Sequence, residues 1–386
     1  MGWLPPYTQL DAQQKEFVDN VDINKKNIWI KGFPGSGKSV LLAYTFQRIL
    51  TQKPKPKIAM IVFTHSLINM FKAALNEIGI DINIMTYIDF KHRTDTYDYI
   101  LCDEVQDLTG SVLSAMKQRA KHVIVAGDEN QSIFKTDPSS GEATVAPTMI
   151  NNLLASNSYQ LNVIHRLSSS IINAVTKFLP QLNLFEAKRD MSKSSTQIRL
   201  CQANNDTEEA DYIYKESIKA VNIGETVAIL IPTQNKIVNF VNTLLLQEYK
   251  PIWYNEFNQY QKLDMGSLNQ HLEQNNINIQ YVGNGYGTLG NNKITIMTYH
   301  SAKGLDFDHV FIPMLDSKLF ISRDSDISKT LFMVAMTRSR KNLYLTHCGE
   351  PHSYVKNFTT DCNKINIHDL LSCNNIIKNK GLFGGI

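Results

Sequence analysis

Short runs of β-branched and aliphatic residues alternate along this chain with stretches of helical period, and that alternation narrows the possible folds more than any other feature. "NIWIKGF", "KIAMIVF", "YDYILCDE" and "HVIVAGD" read as strands, and Val40–Leu50, His65–Gly79 and Ser111–Lys121 read as the helices between them. Strands this uniformly apolar need cover on both faces, which is the signature of a parallel sheet flanked by helices. The rhythm then repeats. "QIRLCQ", "TVAILI", "KITIMTYH", "DHVFIPML" and "NLYLTH" read as a second set of strands, with helices at Glu208–Val221, Lys236–Tyr249 and Thr330–Lys341. A chain of 386 residues exceeds what one core comfortably buries. The expected fold class is therefore α/β with two domains, 1–160 and 161–386. Residues 156–195 read as helical and hinge-like. A polar Asn-, Gln-, Gly- and Tyr-rich stretch at 250–292 reads as a small inserted subdomain or a long loop.

Composition removes several function classes. With 43% hydrophobic and 19% charged residues the chain is neither disordered nor fibrous. No apolar run approaches the roughly 18 residues that span a bilayer, so no membrane partner is expected. The first residues lack the charged and apolar regions of a secretory signal. Five scattered cysteines suit a reducing, cytoplasmic setting better than a disulfide framework. The C-terminal Cys and His residues lack the spacing of a zinc site. A net charge of +3 permits a nucleic-acid partner through a local patch without requiring one.

The chemistry is carried by three motifs at strand ends. "GFPGSGKS" follows a predicted strand and opens a predicted helix. Gly32, Gly35 and Gly37 would let backbone N–H groups converge on phosphate oxygens at the helix N-terminus, with Pro34 and Ser36 completing the binding loop. Lys38 would pair with the β- and γ-phosphates of ATP, and Ser39 would hold Mg²⁺. In "YDYILCDEVQD", Asp103 would bind Mg²⁺ directly or through water, and Glu104 would accept a proton from the attacking water. Taken alone, those carboxylates equally fit an acidic helix cap. Gln131 in "HVIVAGDENQS" is a candidate sensor of the γ-phosphate or the attacking water; on its own it fits a turn-forming polar cluster better.

In this order the motifs resemble those of the superfamily 1 DNA helicases of the UvrD/Rep/PcrA type. "LDAQQKEFV" is similar to their N-terminal glutamine motif, "VFTHSL" to motif Ia, "GDENQSIF" to motif III and "LNVIHRL" loosely to motif IV. "MTYHSAKGLDFDHVFI" is close to motif V and "VAMTRSRKNLYL" to motif VI. The resemblance spans about residues 8–346. It implies two RecA-like P-loop NTPase domains that hydrolyse ATP with Mg²⁺ in the cleft between them. It implies roles residue by residue: Gln14 at the adenine edge, Arg166 at the γ-phosphate, Gly304 and Asp306 near the nucleotide, and Arg338 as the arginine finger. Phe63 and Thr64 fall where the family contacts single-stranded DNA, and His300 falls where nucleotide state and strand are coupled. The implied activity is an ATP-dependent 3′–5′ DNA helicase or translocase on single-stranded DNA, with RNA left open.

The chain also departs from the family pattern. Little sequence separates motifs Ia and II, the 250–292 insert is small, and Thr136 replaces a base-stacking aromatic. His165 replaces an adenine-stacking tyrosine, and Asp306 stands for the usual Glu. These departures keep a rival reading open: an ATP-gated DNA-binding switch subunit of a larger nuclease, repair or phage-defence complex, with a protein partner supplying the missing function. The insert's Trp253, Tyr254, Phe257, Tyr260, Tyr281 and Tyr286 fit a base-stacking surface or a small core equally well.

Overall fold

A computed structural model describes residues 4–77, 79–80, 82–128, 131–182, 188–189, 195–290 and 292–370. The chain divides into two compact units: Met1–Leu167 with Leu182–Lys193, and Ser168–Gln181 with Ser194–Ile386. The division falls after Leu167 rather than after residue 160, so Arg166 belongs to the first unit.

In the first unit the strands are β1 (Asn27–Gly32), β2 (Ile58–Val62), β3 (Ile84–Thr86), β4 (Tyr97–Cys102), β5 (Ala120–Gly127) and β6 (Ser156–Leu161). They pair in parallel in the order β3-β2-β4-β5-β1-β6. A two-residue pair, β7 (Val163–Ile164) and β8 (Lys188–Arg189), adds a second short ladder. The helices are α1 (Ala12–Asn20), α2 (Lys38–Gln52), α3 (His65–Glu77), α4 (Tyr87–Lys91), α5 (Gly110–Arg119) and α6 (Ile150–Leu154). Trp29, Ile61, Ile100, Val125, Leu113 and Phe90 are among the side chains that close the core between sheet and helices.

The expectation of a helical hinge over 156–195 is corrected in part. Ser156–Leu161 is an edge strand on β1, with register Asn27↔Ser156 through Gly32↔Leu161. Its sequence, SNSYQL, is polar because most of its side chains face away from the core. Only α7 (Ser169–Phe178), which belongs to the second unit, is an α-helix among the described residues of that stretch.

In the second unit β9 (Gln197–Ala203), β10 (Val227–Ile231), β11 (Ile279–Tyr281), β12 (Ile294–Thr298), β13 (Phe307–Ile312), β14 (Ser339–Cys348) and β15 (Asn363–Asn366) form another parallel sheet, ordered β11-β12-β10-β13-β14-β9-β15. Around it lie α8 (Asp206–Asn222), α9 (Gln234–Gln247), α10 (Met265–Gln274), α11 (Ser325–Met336) and α12 (Ser353–Lys356). The helix expected over Thr330–Lys341 stops at Met336, and Ser339 already begins β14. The 250–292 stretch is no separate insert. It supplies α10 and edge strand β11, and the indole of Trp253 is buried with its Nε1 donating to Ser267 Oγ at 3.1 Å.

One buried acid fastens this second unit. Glu209, in the first turn of α8, is 2% exposed. Its carboxylate accepts from the Met314 N–H at 3.0 Å and from the Thr346 hydroxyl. It thus ties α8 to the ends of β13 and β14, and Met314 there holds a left-handed φ of 60°. Burial pushes the Glu209 carboxyl up to about 7 against the pull of those hydrogen bonds. Because the folded state holds this proton more tightly than the unfolded chain, stability falls as pH rises from the ordinary carboxylate range to about 7. The expected loss is on the order of 3 kcal/mol. Glu209→Gln should flatten that slope. Urea unfolding of both proteins at about pH 5 and about pH 8 measures it.

Candidate active site

The first unit gathers its chemistry at the C-terminal ends of β1, β4 and β5, where an open parallel sheet places ligands. After β1 the chain turns through Gly35 at φ 75° and Gly37 at φ 90°, conformations that favour glycine. The turn is also crowded. A Cβ on Gly35 would lie 2.6 Å from Arg166 Cβ, and one on Gly37 2.3 Å from Gln14 Nε2. Helix α2 then opens at Lys38 with Gly37 as its N-cap and no side-chain cap, leaving its first amides available to an anion. Within the same loop the Ser36 hydroxyl is buried without a hydrogen-bond partner, and Pro34 is buried. A buried donor with nothing to bond is what a phosphate oxygen would satisfy. Lys38 bends back over the loop and donates to the carbonyls of Gly32 at 2.9 Å and Phe33 at 3.1 Å.

Two neighbours brace this loop. Gln14 closes the capping box of α1, its amide oxygen accepting from the Asp11 N–H at 3.1 Å. Its amide nitrogen donates to the Ser36 carbonyl at 3.0 Å, so the structure places Gln14 on the phosphate loop itself. On the other side, the backbone N–H groups of His165 and Arg166 both donate to the Gly35 carbonyl, at 2.9 and 3.2 Å. His165 Nε2 meets Asp11 Oδ2 at 2.5 Å. Arg166 is thereby held at the loop from within the first unit.

At the end of β4, Asp103 and Glu104 are 2% and 6% exposed. Ser39 Oγ donates to Asp103 Oδ2 at 2.6 Å, and the Glu104 N–H donates to Asp103 Oδ1 at 3.0 Å. Burial, with the adjacent Glu104 charge, pushes the Asp103 carboxyl up to about 6. A hard divalent cation fits this place. Ser39 and Asp103 offer oxygen ligands, and the crowded negative charge is what a cation would relieve. Glu104 occupies a left-handed backbone conformation, φ 55° and ψ 42°, that costs a non-glycine residue energy. Gln131 is buried, its N–H bonded to the Asp128 carbonyl at 3.2 Å.

Sequence reasoning missed the residues that join these strand ends. Gln106 is wholly buried and donates through Nε2 to Glu104 Oε2 at 2.6 Å. Asp107 Oδ1 accepts from the Ile133 N–H at 3.0 Å. Only the alternation of acids and amide in "DEVQD" hinted at them.

The expected nucleic-acid contacts fare differently. The Phe63 ring is stacked with Tyr87 (4.9 Å, 21°) and with Phe134 (4.8 Å, 25°). Phe63 is half-buried and packs as part of this aromatic stack. The Thr64 hydroxyl accepts from the Leu67 N–H at 3.3 Å and caps α3. Thr136 sits on an exposed hairpin, bridged to Ala143.

In the second unit the Arg338 guanidinium is 1% exposed. Nε donates to the Val334 carbonyl at 2.8 Å, Nη1 to the Leu305 carbonyl at 3.2 Å and Nη2 to Thr337 Oγ1 at 2.9 Å. Gly304 turns at φ 80°, and Asp306 lies 3.5 Å from the Arg340 guanidinium. Burial, helped by Lys303, pushes His300 down to about 4, so its imidazole is neutral at physiological pH and offers no charge to a phosphate. The aromatic residues of 250–292 divide: Trp253 and Tyr281 join the core, whereas Tyr254, Phe257 and Tyr260 are 77%, 59% and 71% exposed.

Asp137 anchors the hairpin that replaces the family's stacking residue. It is 2% exposed and receives Tyr87 Oη at 2.8 Å, Lys91 Nζ at 3.0 Å and the Ser139 N–H at 2.9 Å. Burial alone would raise its carboxyl, but these donors hold it well below the usual carboxylate range. Its contribution is thus complete at neutral pH and fades only in strong acid. Asp137→Ala should destabilise the protein by on the order of 3 kcal/mol, read as a lower urea midpoint at neutral pH.

Residues 14–137 match the AAA domain family, and residues 251–350 match the UvrD-like helicase C-terminal domain. DNA helicase II of Rickettsia typhi is 44% identical over 63 residues, 14% of this chain and 10% of that protein. The ATP-dependent DNA helicase Rep of Buchnera aphidicola is 35% identical over 75 residues, 18% of this chain and 11% of that protein. The chain therefore spans about a tenth of the length of these curated relatives. Among solved structures, a Bacteroides Pif1 helicase in complex with ADP-AlF3 and ssDNA is 14% identical, with 87% of this chain and 92% of that chain covered at a TM-score of 0.46. The two family matches follow one another in the order of the motifs, and together with these relatives they support a UvrD/Rep-like superfamily 1 helicase.

Proposed function

We propose that this chain is an ATP-dependent DNA helicase or translocase that acts on single-stranded DNA with 3′–5′ polarity. The observation that carries the reading is the buried pair Asp103–Glu104 beside an uncapped helix N-terminus, with Ser39 already bonded to Asp103. ATP phosphates bind the amides of residues 35–39, and Lys38 exchanges its two loop carbonyls for phosphate oxygens. Ser39 and Asp103 hold Mg²⁺, which when bound neutralises phosphate charge. Glu104 accepts the proton of the attacking water, and Gln131 orients that water. Arg166 and Arg338 supply positive charge to the γ-phosphate, a contribution worth on the order of 10³–10⁵ in rate for such fingers.

The engagement of Phe63 in a stack with Tyr87 and Phe134 favours a second reading, an ATP-gated DNA-binding switch within a larger repair or phage-defence assembly. Such a subunit hydrolyses ATP but displaces no strand without a partner protein.

ATP turnover of the purified chain, measured with single-stranded DNA, duplex DNA, RNA and no nucleic acid, separates the two. Many-fold stimulation by single strands together with strand displacement supports the helicase. Stimulation without displacement supports the switch, and equal rates in every case remove the nucleic-acid reading. Lys38→Ala and Glu104→Gln should each lower kcat by at least about 10²-fold. Unchanged turnover in both variants would refute the site assignment.

A further inference from the structure

We propose that Gln106 is a positioning residue that clamps Glu104 to the end of β5 and holds the carboxylate where it meets the attacking water. The inference rests on the ATPase reading above and adds to it a residue that touches neither nucleotide nor cation.

The geometry fixes how the clamp works. The Gln106 side chain is 0% exposed, and both ends of its carboxamide are engaged: Nε2 donates to Glu104 Oε2 at 2.6 Å, and Oε1 accepts from the Asp128 N–H at 3.2 Å. A backbone N–H can only donate, so the amide oxygen must face Asp128 and the NH₂ must face Glu104; the flipped amide is excluded. The backbone of Gln106 is also tied down, its carbonyl accepting from Ser132 Oγ at 3.4 Å. Space for the amide is made by Gly127, where a Cβ would lie 2.4 Å from Gln106 Oε1 and 2.8 Å from Val105 Cγ1. The glycine that ends β5 thus serves the carboxamide and not a turn, because its φ lies outside the left-handed region.

The need for a clamp follows from Glu104 itself. Its left-handed backbone is a conformation that persists only when its surroundings hold it. A carboxylate that catalyses proton transfer must stay within hydrogen-bond reach of its water, and displacement by about 1 Å can cost on the order of 10²-fold. Gln106 also makes Glu104 and the β5 end one rigid piece, so Gln131, which follows Asp128, is set by the same contact.

The test is a double-mutant cycle on ATP hydrolysis. Gln106→Met keeps the volume and removes both hydrogen bonds. Against wild type, kcat should fall by roughly 10²-fold, with KM and the affinity for a fluorescent ATP analogue within about twofold. In the Glu104→Gln background, where single-turnover assays follow the slow residual reaction, the same substitution should cost less than about threefold. Equal losses in both backgrounds, or no loss in wild type, overturn the clamp while leaving the ATPase reading intact. Absence of ATP turnover in the wild-type chain overturns the parent reading and this one with it. Where Gln106→Met lowers the melting temperature sharply, Gly127→Ala takes its place: it pushes the carboxamide aside and should reproduce the kcat loss, and an unaltered kcat there counts against the clamp.

Discussion

Two carboxylates at the end of an apolar strand are the constraint around which the first unit is arranged. Strand β4 is buried along most of its length, and it delivers Asp103 and Glu104 into the same interior. Like charges so close and so dry are expensive unless each finds a donor. Ser39 and the Glu104 amide serve Asp103, and the Gln106 amide serves Glu104. Each donor comes from a segment that must itself be held. Ser39 rides on α2, which the phosphate loop opens, and that loop is braced by Gln14 and by the backbone of His165 and Arg166. Gln106 is held by β5. Strand order does the rest, because β4, β5 and β1 are consecutive neighbours and their ends converge.

How much of this was legible depended on where an element lies in its sheet. The apolar runs picked out every central strand of both sheets, β1, β2, β4, β5, β9, β10, β12, β13 and β14. They failed at β3, β6, β11 and β15, which are the edges of the two sheets. A central strand is covered on both faces and flanked on both sides, so its sequence must be apolar. An edge strand is short and half solvated, and residues such as SNSYQL carry no such mark.

The site was legible wherever its chemistry is contiguous. A phosphate loop needs its glycines, lysine and serine within one turn, and β4 must end in its acids, so both appear as unbroken strings. Roles that depend on partners far along the chain did not. Phe63 reads as a lone aromatic in sequence, and only the fold brings Tyr87 and Phe134 into a stack with it. The Tyr and Phe residues of 250–292 look alike in sequence, yet packing against α9 and α10 takes Trp253 inward and leaves Tyr254, Phe257 and Tyr260 exposed. Burial of a ring is decided by the fold, and composition is silent on it.

Arg338 is a buried guanidinium engaged by groups of its own unit. Val334, Leu305 and Thr337, which accept hydrogen bonds from it, lie in the second unit. Hydrogen bonds from a charged group contribute about 1.5–3 kcal/mol each, so an anion that recruits this guanidinium must offset several kcal/mol. The exchange also has local consequences. The Val334 carbonyl belongs to the last turn of α11, where acceptors have no helical partner, and the Leu305 carbonyl belongs to the segment entering β13. Withdrawing Arg338 leaves both to find other donors, although the Thr337 hydroxyl already serves Val334 at 3.0 Å.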